Sequence, residues 1–491
     1  MSSEHLQRLL ARARSRRTRT AVVIAILCWN MVLYAIGTWS PITHPLQARR
    51  DASGFSSDKA PKFHYFHYYL GLFPLSTLNE DLEYSKAGAM REIEERGQDL
   101  TMEYQHWSRL GENARIFAYL PGAWLKGSAV SPSIRLFNGL WFTAALLALY
   151  LGFFRAGRPL FALVLLSVVA TTPFYWYEVY SRENIFGLIG SLFFLILGVH
   201  APSLVGRTPS WWAGVFTAVL SGFLIALCAE VRNETIAVMF SLVSILLLAP
   251  RVPWLQRGAT ILFALLAFYF GRASIQGHFD RQWERTAALV EAHDGHVYTG
   301  PRISGHRVWH PIFCGLGDFG ADKGYAWNDR VAYAYAVPLL EREFGIRVNW
   351  TGGFGTNDFY DEAGLYYVKF DEIPEYEEIV KRKVVTDVSA DPGWYLTILL
   401  QRIGRILTDT LPFPYAGWTL VPLSWYLVSH RAWFELRTLI VSLPLSITPF
   451  VIYSGEGATY NSVFPILAVA IILVYLLSRS ARFGPDRVPV G

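Results

Sequence analysis

The residues best suited to chemistry gather in Ile303–Arg330, ISGHRVWHPIFCGLGDFGADKGYAWNDR, where His306 and His310 sit among Asp318, Asp322 and Asp329. Gly315, Gly317, Gly320 and Gly324 and two tryptophans share the stretch, which shows no strong helical period. Its GLGDFG formally matches the dinucleotide fingerprint, but that motif carries meaning only after a buried strand and at a helix start. The glycines therefore read either as tight turns or as backbone lying close to a ligand. His306 and His310 are four apart, and a zinc site would want a third ligand and usually a helix. Asp318 or Asp322 could supply it, but the spacing is unspecific, and a structural or hydrogen-bonding role is preferred. Of three cysteines, Cys28 and Cys228 lie in apolar runs and Cys314 is alone in its loop, so neither a disulfide framework nor a Cys/His metal cluster stands out.

Other clusters lie elsewhere. Lys62–Phe73, KFHYFHYYLGLF, interleaves His64 and His67 with rings that include Tyr68 and Tyr69. It reads either as an interfacial aromatic belt or as a stacking platform for a sugar or isoprenoid. Asp51, Asp58, Glu80, Asp81 and Glu83 flank it, either as solvated charge or as a source of a general base for hydroxyl attack. Two brief connections are dense in charge: Glu178, Arg182 and Glu183 in YWYEVYSREN, and Glu230, Arg232 and Glu234 in CAEVRNET. Ionisable groups at the mouth of a helix bundle are costly to hold and tend to be functional, although plain loop charge remains the alternative. Arg232, Arg402 and Arg405 offer planar forks of donors suited to phosphate or pyrophosphate. YSGEGATYNSVFP adds Glu456, Tyr460 and Asn461 near the last apolar run, and Asn233-Glu-Thr and Asn349-Trp-Thr match the glycosylation sequon.

The elements that must position these residues are membrane helices. The chain has 491 residues, 52% of them hydrophobic and 17% charged, with the apolar residues gathered into blocks. About 20 such residues cross the ~30 Å hydrocarbon core. Ten spans are expected near 20–39, 133–154, 159–177, 184–200, 211–229, 235–250, 258–275, 411–429, 436–453 and 462–478, the eighth being interrupted by Pro412, Pro414 and Pro422. The first is read as a retained helix rather than a signal peptide, whose apolar core would be shorter.

The tails and alternate short loops carry Arg8, Arg12, Arg14, Arg16, Arg17, Arg19, Arg155, Arg158, Arg207, Arg251, Arg257, Arg431, Arg437, Arg479, Arg482 and Arg487. Against them stand only Glu4, Glu435 and Asp486. By the positive-inside rule these pieces, both termini included, are cytoplasmic. The expected fold class is an all-α polytopic membrane protein. It comprises a basic tail (1–19), a first span (20–39), an outer region with helices (40–132) and six spans (133–275). A second outer region (276–410), three further spans (411–478) and a short tail (479–491) complete it. Within the outer regions, 82–109 and 371–387 read as helices, 120–135 as an interfacial segment, and 394–407 as an amphipathic helix entering the membrane.

This plan resembles the GT-C superfamily of membrane glycosyltransferases, relatives of protein mannosyltransferases and aminoarabinose transferases. KFHYFHYYLG resembles an aromatic segment in the first outer loop of bacterial membrane glycosyltransferases. GHRVWHPIFCGLGDFG and ADPGWYLTILLQRIGRIL resemble a histidine-glycine stretch and a re-entering helix of bacterial membrane proteins. GATYNSVFPIL is similar to a late-span pattern, with Thr459-Tyr460 standing where such transferases have Arg-Tyr. The resemblance implies a polyprenyl-phosphate-linked sugar donor used on the outer face of the inner membrane. The acceptor would be a protein, lipid or glycan, and no nucleic acid is involved.

It also implies a carboxylate base, with Asp58, Glu80, Asp81 and Glu183 as candidates. The paired acidic motif that family members often carry after the first span is missing here, since Asp51 and Asp58 lie too far apart. Around the base, His64, His67, Tyr68, Tyr69, Glu178, Arg182, Arg232, Glu234, His306, His310, Asp318, Asp329, Arg402, Arg405 and Tyr460 are expected to bind substrate. No cofactor is specified, and a divalent metal ion stays open. Two other readings stand beside this one. A polysaccharide polymerase or O-antigen ligase would usually keep the first outer loop short. The non-enzyme reading is a transporter or a structural membrane component, and a transporter would usually show intramembrane charges, broken helices and repeats.

Overall fold

The computed structural model describes residues 16–39, 70–72, 90–91, 93–95, 97–100, 102, 132–172, 187–207, 210–297, 308–320, 322–348, 350, 358–360, 366–370, 373–452 and 463–482. The described chain is helical apart from one short hairpin. Its apolar helices are α1 (Arg16–Trp39), α2 (Pro132–Arg155), α3 (Pro159–Thr171), α4 (Gly187–Leu204), α5 (Trp211–Val231), α6 (Ala237–Leu248) and α7 (Trp254–Ala292). Outside them come α8 (Trp309–Leu316), α9 (Asp329–Phe344), strands β1 (Asp358–Tyr360) and β2 (Tyr366–Lys369), α10 (Pro374–Ala390) and α11 (Pro392–Thr408). The chain then adds α12 (Leu420–Ser429), α13 (Trp433–Ile440), α14 (Ile447–Val451) and α15 (Val463–Arg482).

Four stretches are long and apolar enough to cross a membrane: Leu136–Arg155, Trp211–Val231, Trp254–Ala292 and Trp433–Val451. Shorter apolar helices cover Pro159–Thr171, Leu188–Leu204, Asn233–Leu248 and Val463–Ser478. This makes the chain a helical membrane protein. Large apolar side chains face outward along α5 and α7, among them Trp212, Phe216, Leu262, Tyr269 and Phe270. Lipid is the solvent that such a surface suits.

Because lipid is as apolar as leucine, helix association inside it depends on close backbone approach at small residues. The α2–α4 contact is of this kind. A Cβ built on Gly152 would lie 1.8 Å from the Gly198 carbonyl oxygen, and one on Gly198 would lie 2.3 Å from the Ala148 carbonyl carbon. The α5–α7 contact repeats it, with a Cβ on Gly222 falling 2.2 Å from the Ala264 oxygen. A buried polar pair, His200 Nε2 and Ser221 Oγ at 3.0 Å, joins α4 to α5.

The polar ends of the bundle separate. Arg158, Arg251, Arg431, Glu435 and Arg437 line one cleft. Arg232, Glu234 and Arg272 line another. The two lie beyond opposite ends of α6, whose 12 residues span ~18 Å.

Helices α8 to α11 and the β1–β2 hairpin form a unit with its own core. On α10, Tyr376, Ile379, Val380 and Val384 are buried at helical spacing. They meet Phe313, Tyr333 and Phe370, which are also buried. Asn328 caps α9 by accepting from Arg330 N at 3.0 Å, and Gly345, at φ +70°, ends it. Asp391 starts α11 by accepting from Trp394 N at 3.0 Å. Asp387 of α10 receives the Tyr325 hydroxyl and the Lys383 ammonium, each at 2.8 Å, which pins the turn before α9.

Several expectations change. The seventh span is the start of a 39-residue helix of ~58 Å, so 276–292 continues α7 rather than opening a loop. The helix expected over 82–109 has ended by Gly97–Asp99, a 3-10 turn. Beyond it Met102 pairs with His296 through Met102 N to His296 O at 2.9 Å, and His296 N returns to Leu100 O at 2.7 Å. Gly97, at φ +47°, is where helical geometry stops. The eighth expected span yields only a 3-10 turn, Ala416–Thr419, and the ten-residue α12, because prolines interrupt its backbone bonding. The ninth overlaps the candidate span Trp433–Val451, which tightens to a 3-10 turn at Leu443–Ser446 between α13 and α14. The β1–β2 hairpin, of three and four residues, is a small addition to an otherwise helical fold. Residues 120–131 lie outside those described.

Gly198→Ala should lower the thermal unfolding temperature of the detergent-solubilised protein, at a cost of about 1–3 kcal/mol from overpacking. Acid should loosen the outer unit first. Burial pushes the Asp387 carboxyl up, but Lys383 and Tyr325 outweigh it and hold it below the usual range. The Trp394 N–H and Lys323 do the same for Asp391. Groups depressed in the folded state stabilise it above their unfolded pKa of ~3.9 and lose that contribution as pH falls through the folded values. Trp394 fluorescence should therefore change on acidification below about pH 4, and Asp387→Asn should flatten that transition.

Candidate functional site

The connection between α5 and α6 has no slack. Val231 ends α5, Arg232 N donates back to Cys228 O at 2.8 Å, and a 3-10 turn, Asn233–Ile236, leads directly into α6. Thr235 Oγ1 donates to Arg232 O at 2.8 Å and closes the turn. Arg232 and Glu234 are thus held at a fixed height above α6. From α7, Arg272 Nε reaches Glu230 Oε1 at 2.5 Å and Gln276 Nε2 reaches the same oxygen at 3.2 Å. Glu230 is completely buried, so the pair fixes α7 against α5 where partner charges interact strongly.

Opposite stands α8. It is short, and its first backbone donors are satisfied from outside: Val308 N and Trp309 N donate to Glu377 Oε1 of α10 at 3.0 and 2.9 Å. This tertiary cap produces a helix where the sequence suggested loop. It places His310 and Cys314 one turn apart on the same face. Asp329, the first residue of α9, comes up beside them.

His310 Nε2 lies 3.2 Å from Asp329 Oδ1, Cys314 Sγ lies 3.8 Å from that nitrogen and 3.7 Å from that oxygen, and the Tyr376 hydroxyl pairs with His310 Nδ1 at 2.6 Å. The ring also stacks on Tyr333, with centroids 5.6 Å apart. Burial works against the imidazolium, but Asp329 and Cys314 more than offset it and push the His310 pKa up to about 10.

Between these walls lies a cleft of about 550 Å³ lined by Arg232, Asn233, Glu234, Arg272, His310, Cys314, Trp327 and Asp329. Ile236, Ala237, Phe240, Ile447 and Ile452 add apolar surface to the same lining. Arg232 Nη2 meets Glu234 Oε1 at 2.7 Å. Glu234 Oε2 is buried in the cleft wall with no hydrogen-bond partner, an acceptor suited to a hydroxyl.

Of the residues expected to bind substrate, Arg232, Glu234, His310 and Asp329 come together here. Asp318, Arg402 and Arg405 do not. Arg402 is entirely buried and donates to Phe450 O and Val451 O at 3.0 Å and to Gly315 O at 2.7 Å, while its Nε lies 3.5 Å from Asp318 Oδ2. Arg405 also approaches Asp318, at 3.8 Å, and covers the Phe319 ring. The three make a structural knot rather than a phosphate site.

Nor does the glycine motif cradle a ligand. A Cβ on Gly317 would sit 2.2 Å from Ala326 Cα, so that glycine serves close packing. Asp58, Glu80, Asp81 and Glu183, with His64, His67, Tyr68, Tyr69, Glu178, Arg182, His306 and Tyr460, lie outside the described residues.

Two cleft residues escaped the sequence reading. Arg272 was signalled by a cation inside an apolar run, GRASIQ, which marks function or pairing. Cys314 was signalled by its four-residue spacing from His310, visible only once a helix is assumed. Asp322, a suggested zinc ligand, is absent from the cleft wall, and Asp329 takes the place beside His310. Comparison with family models, with curated proteins and with solved structures finds no match.

Arg402→Met should leave Asp318 buried against carbonyl dipoles without its main cation. A loss of about 3–5 kcal/mol in unfolding stability is expected, against a much smaller loss for Arg405→Met, both read by thermal unfolding. Near-equal effects would return Arg402 to a ligand-binding role.

Proposed function

We propose that this chain is an inner-membrane glycosyltransferase that moves a sugar from a polyprenyl-phosphate carrier to an acceptor hydroxyl on the extracytoplasmic face. The observation that carries this reading is the mixed lining of the cleft. Its lining joins apolar side chains, Ile236, Ala237, Phe240, Ile447 and Ile452, to an ionic set, Arg232, Glu234, Arg272, His310 and Asp329. A lipid-linked phosphate is the kind of substrate that needs both surfaces at once.

In this reading ten spans hold both termini in the cytoplasm, and the arginine-lined cleft at the far end of α6 faces inward. The acceptor hydroxyl bonds Glu234 Oε2, which takes its proton as the oxygen attacks the sugar's anomeric carbon. The bond from that carbon to the phosphate oxygen breaks, and the lipid phosphate leaves with the electron pair. Arg232 and Arg272 stabilise the charge that develops on it. A single base suffices, with inversion at the anomeric carbon. The acceptor is a protein, lipid or glycan.

Purified protein incubated with labelled polyprenyl-phosphate sugars should release lipid phosphate. Glu234→Gln should slow release by about 10²–10⁴-fold, the range for losing a general base, while leaving thermal unfolding little changed. His310→Ala should weaken transfer more than folding. An absence of turnover with every donor, alongside solute flux in vesicles, would replace the enzyme by a transporter.

A further inference from the structure

We propose that His310, Cys314 and Asp329 form a binding site for a zinc-class divalent ion, open on its fourth side to the cleft. The three donor atoms all lie within 4.8 Å of one another. Zinc binds nitrogen, sulfur and oxygen at about 2.0–2.3 Å in tetrahedral array, which sets neighbouring donors about 3.3–3.6 Å apart. The observed separations are 3.2 Å for nitrogen to oxygen, 3.7 Å for sulfur to oxygen and 3.8 Å for nitrogen to sulfur. A contraction of a few tenths of an ångström about a cation would complete the array. The mixture of imidazole, thiol and carboxylate suits zinc or cobalt and suits calcium or magnesium poorly.

Two features beyond the ligands support the site. The Tyr376 hydroxyl, on a residue that is completely buried, holds His310 Nδ1 at 2.6 Å and so aims Nε2 at the other two donors. A hydrogen bond behind the ligating ring is the usual companion of a metal-bound histidine. The helix that carries His310 and Cys314 is itself held at its start by Glu377, so the pair is set before any ion arrives.

Three protein ligands with one open position is the arrangement of a catalytic rather than a purely structural zinc site. The open side faces the cleft that Arg232 and Arg272 also line. Water or an anionic oxygen, such as a phosphate oxygen, would fill it. This inference stands without the sugar-transfer reading, since an ion may be bound whatever the substrate proves to be.

The test uses the full chain in detergent, stripped with a chelator and titrated with cobalt(II). Wild-type protein should develop a thiolate-to-cobalt charge-transfer absorption that saturates at a single equivalent and disappears on adding zinc. The band should survive replacement of Cys28 and Cys228 by alanine and vanish in Cys314→Ser. Tyr376→Phe should weaken cobalt binding by about 10–100-fold. Should Cys314→Ser fail to fold, Asp329→Asn serves, because that half-exposed carboxylate can be replaced without opening the core. It should weaken binding by at least ~10-fold. No charge-transfer band in the wild type, an equal band in Cys314→Ser, or unchanged affinity in Asp329→Asn would overturn the site. None of these outcomes depends on turnover.

Discussion

The outer unit is fastened to the membrane bundle by one buried guanidinium. Arg402 arises on the amphipathic α11, enters the protein instead of water, and finds carbonyls from two directions: Phe450 and Val451 at the end of α14, and Gly315 in α8. Asp318 compensates its charge. Burying a cation is costly unless it is paired and its donors find acceptors, and here Asp318 supplies the charge and three carbonyls take the Nη donors, from elements far apart in sequence. The end of a helix is where carbonyls lack partners, so the end of α14 supplies what Arg402 needs.

That fastening decides where the cleft lies. With α8 tied through Gly315 to α14, the face of α8 carrying His310 and Cys314 is set across from the α5–α6 turn. The other half of the cleft is held as firmly by Glu230 and Arg272 across the closely packed α5 and α7. Two buried ion pairs therefore fix two walls, and the polar groups between them, Arg232, Glu234, Asp329 and His310, need no loop rearrangement to face one another. A site whose charged groups are placed beforehand avoids the cost of ordering them when a substrate arrives.

How much of this was legible in the sequence follows from the range of each interaction. Apolar blocks and basic short loops are local signals, and they announced a helical membrane protein. Helices α10 and α11 were legible to within a few residues at their ends, because the periodicity of each is written within one segment. The eight-residue α8 was not, because it is stabilised at its start by Glu377, which lies in a different helix. Arg402 and Arg405 looked like phosphate forks because sequence shows donors without showing the carbonyls that receive them. The extension of α7 beyond the membrane was hidden by polarity, since a helix leaving lipid changes its composition without changing its backbone.

The hardest feature to foresee was the trio of His310, Cys314 and Asp329, and the reason is geometric. Two of its members are four residues apart, which signals proximity only on a helix, and that helix exists through tertiary capping. The third arrives because the turn before α9 is pinned to α10, by the Tyr325 hydroxyl on Asp387 and by Lys383 on the Lys323 carbonyl. In the sequence, Asp318 or Asp322 could have joined His306 and His310, at a spacing that is unspecific. In the fold Asp318 is drawn inward by Arg402 and Arg405, which leaves Asp329 as the carboxylate beside His310. The buried arginine that anchors the outer unit thus also settles which aspartate faces the cleft, and structure and candidate chemistry rest on the same contact.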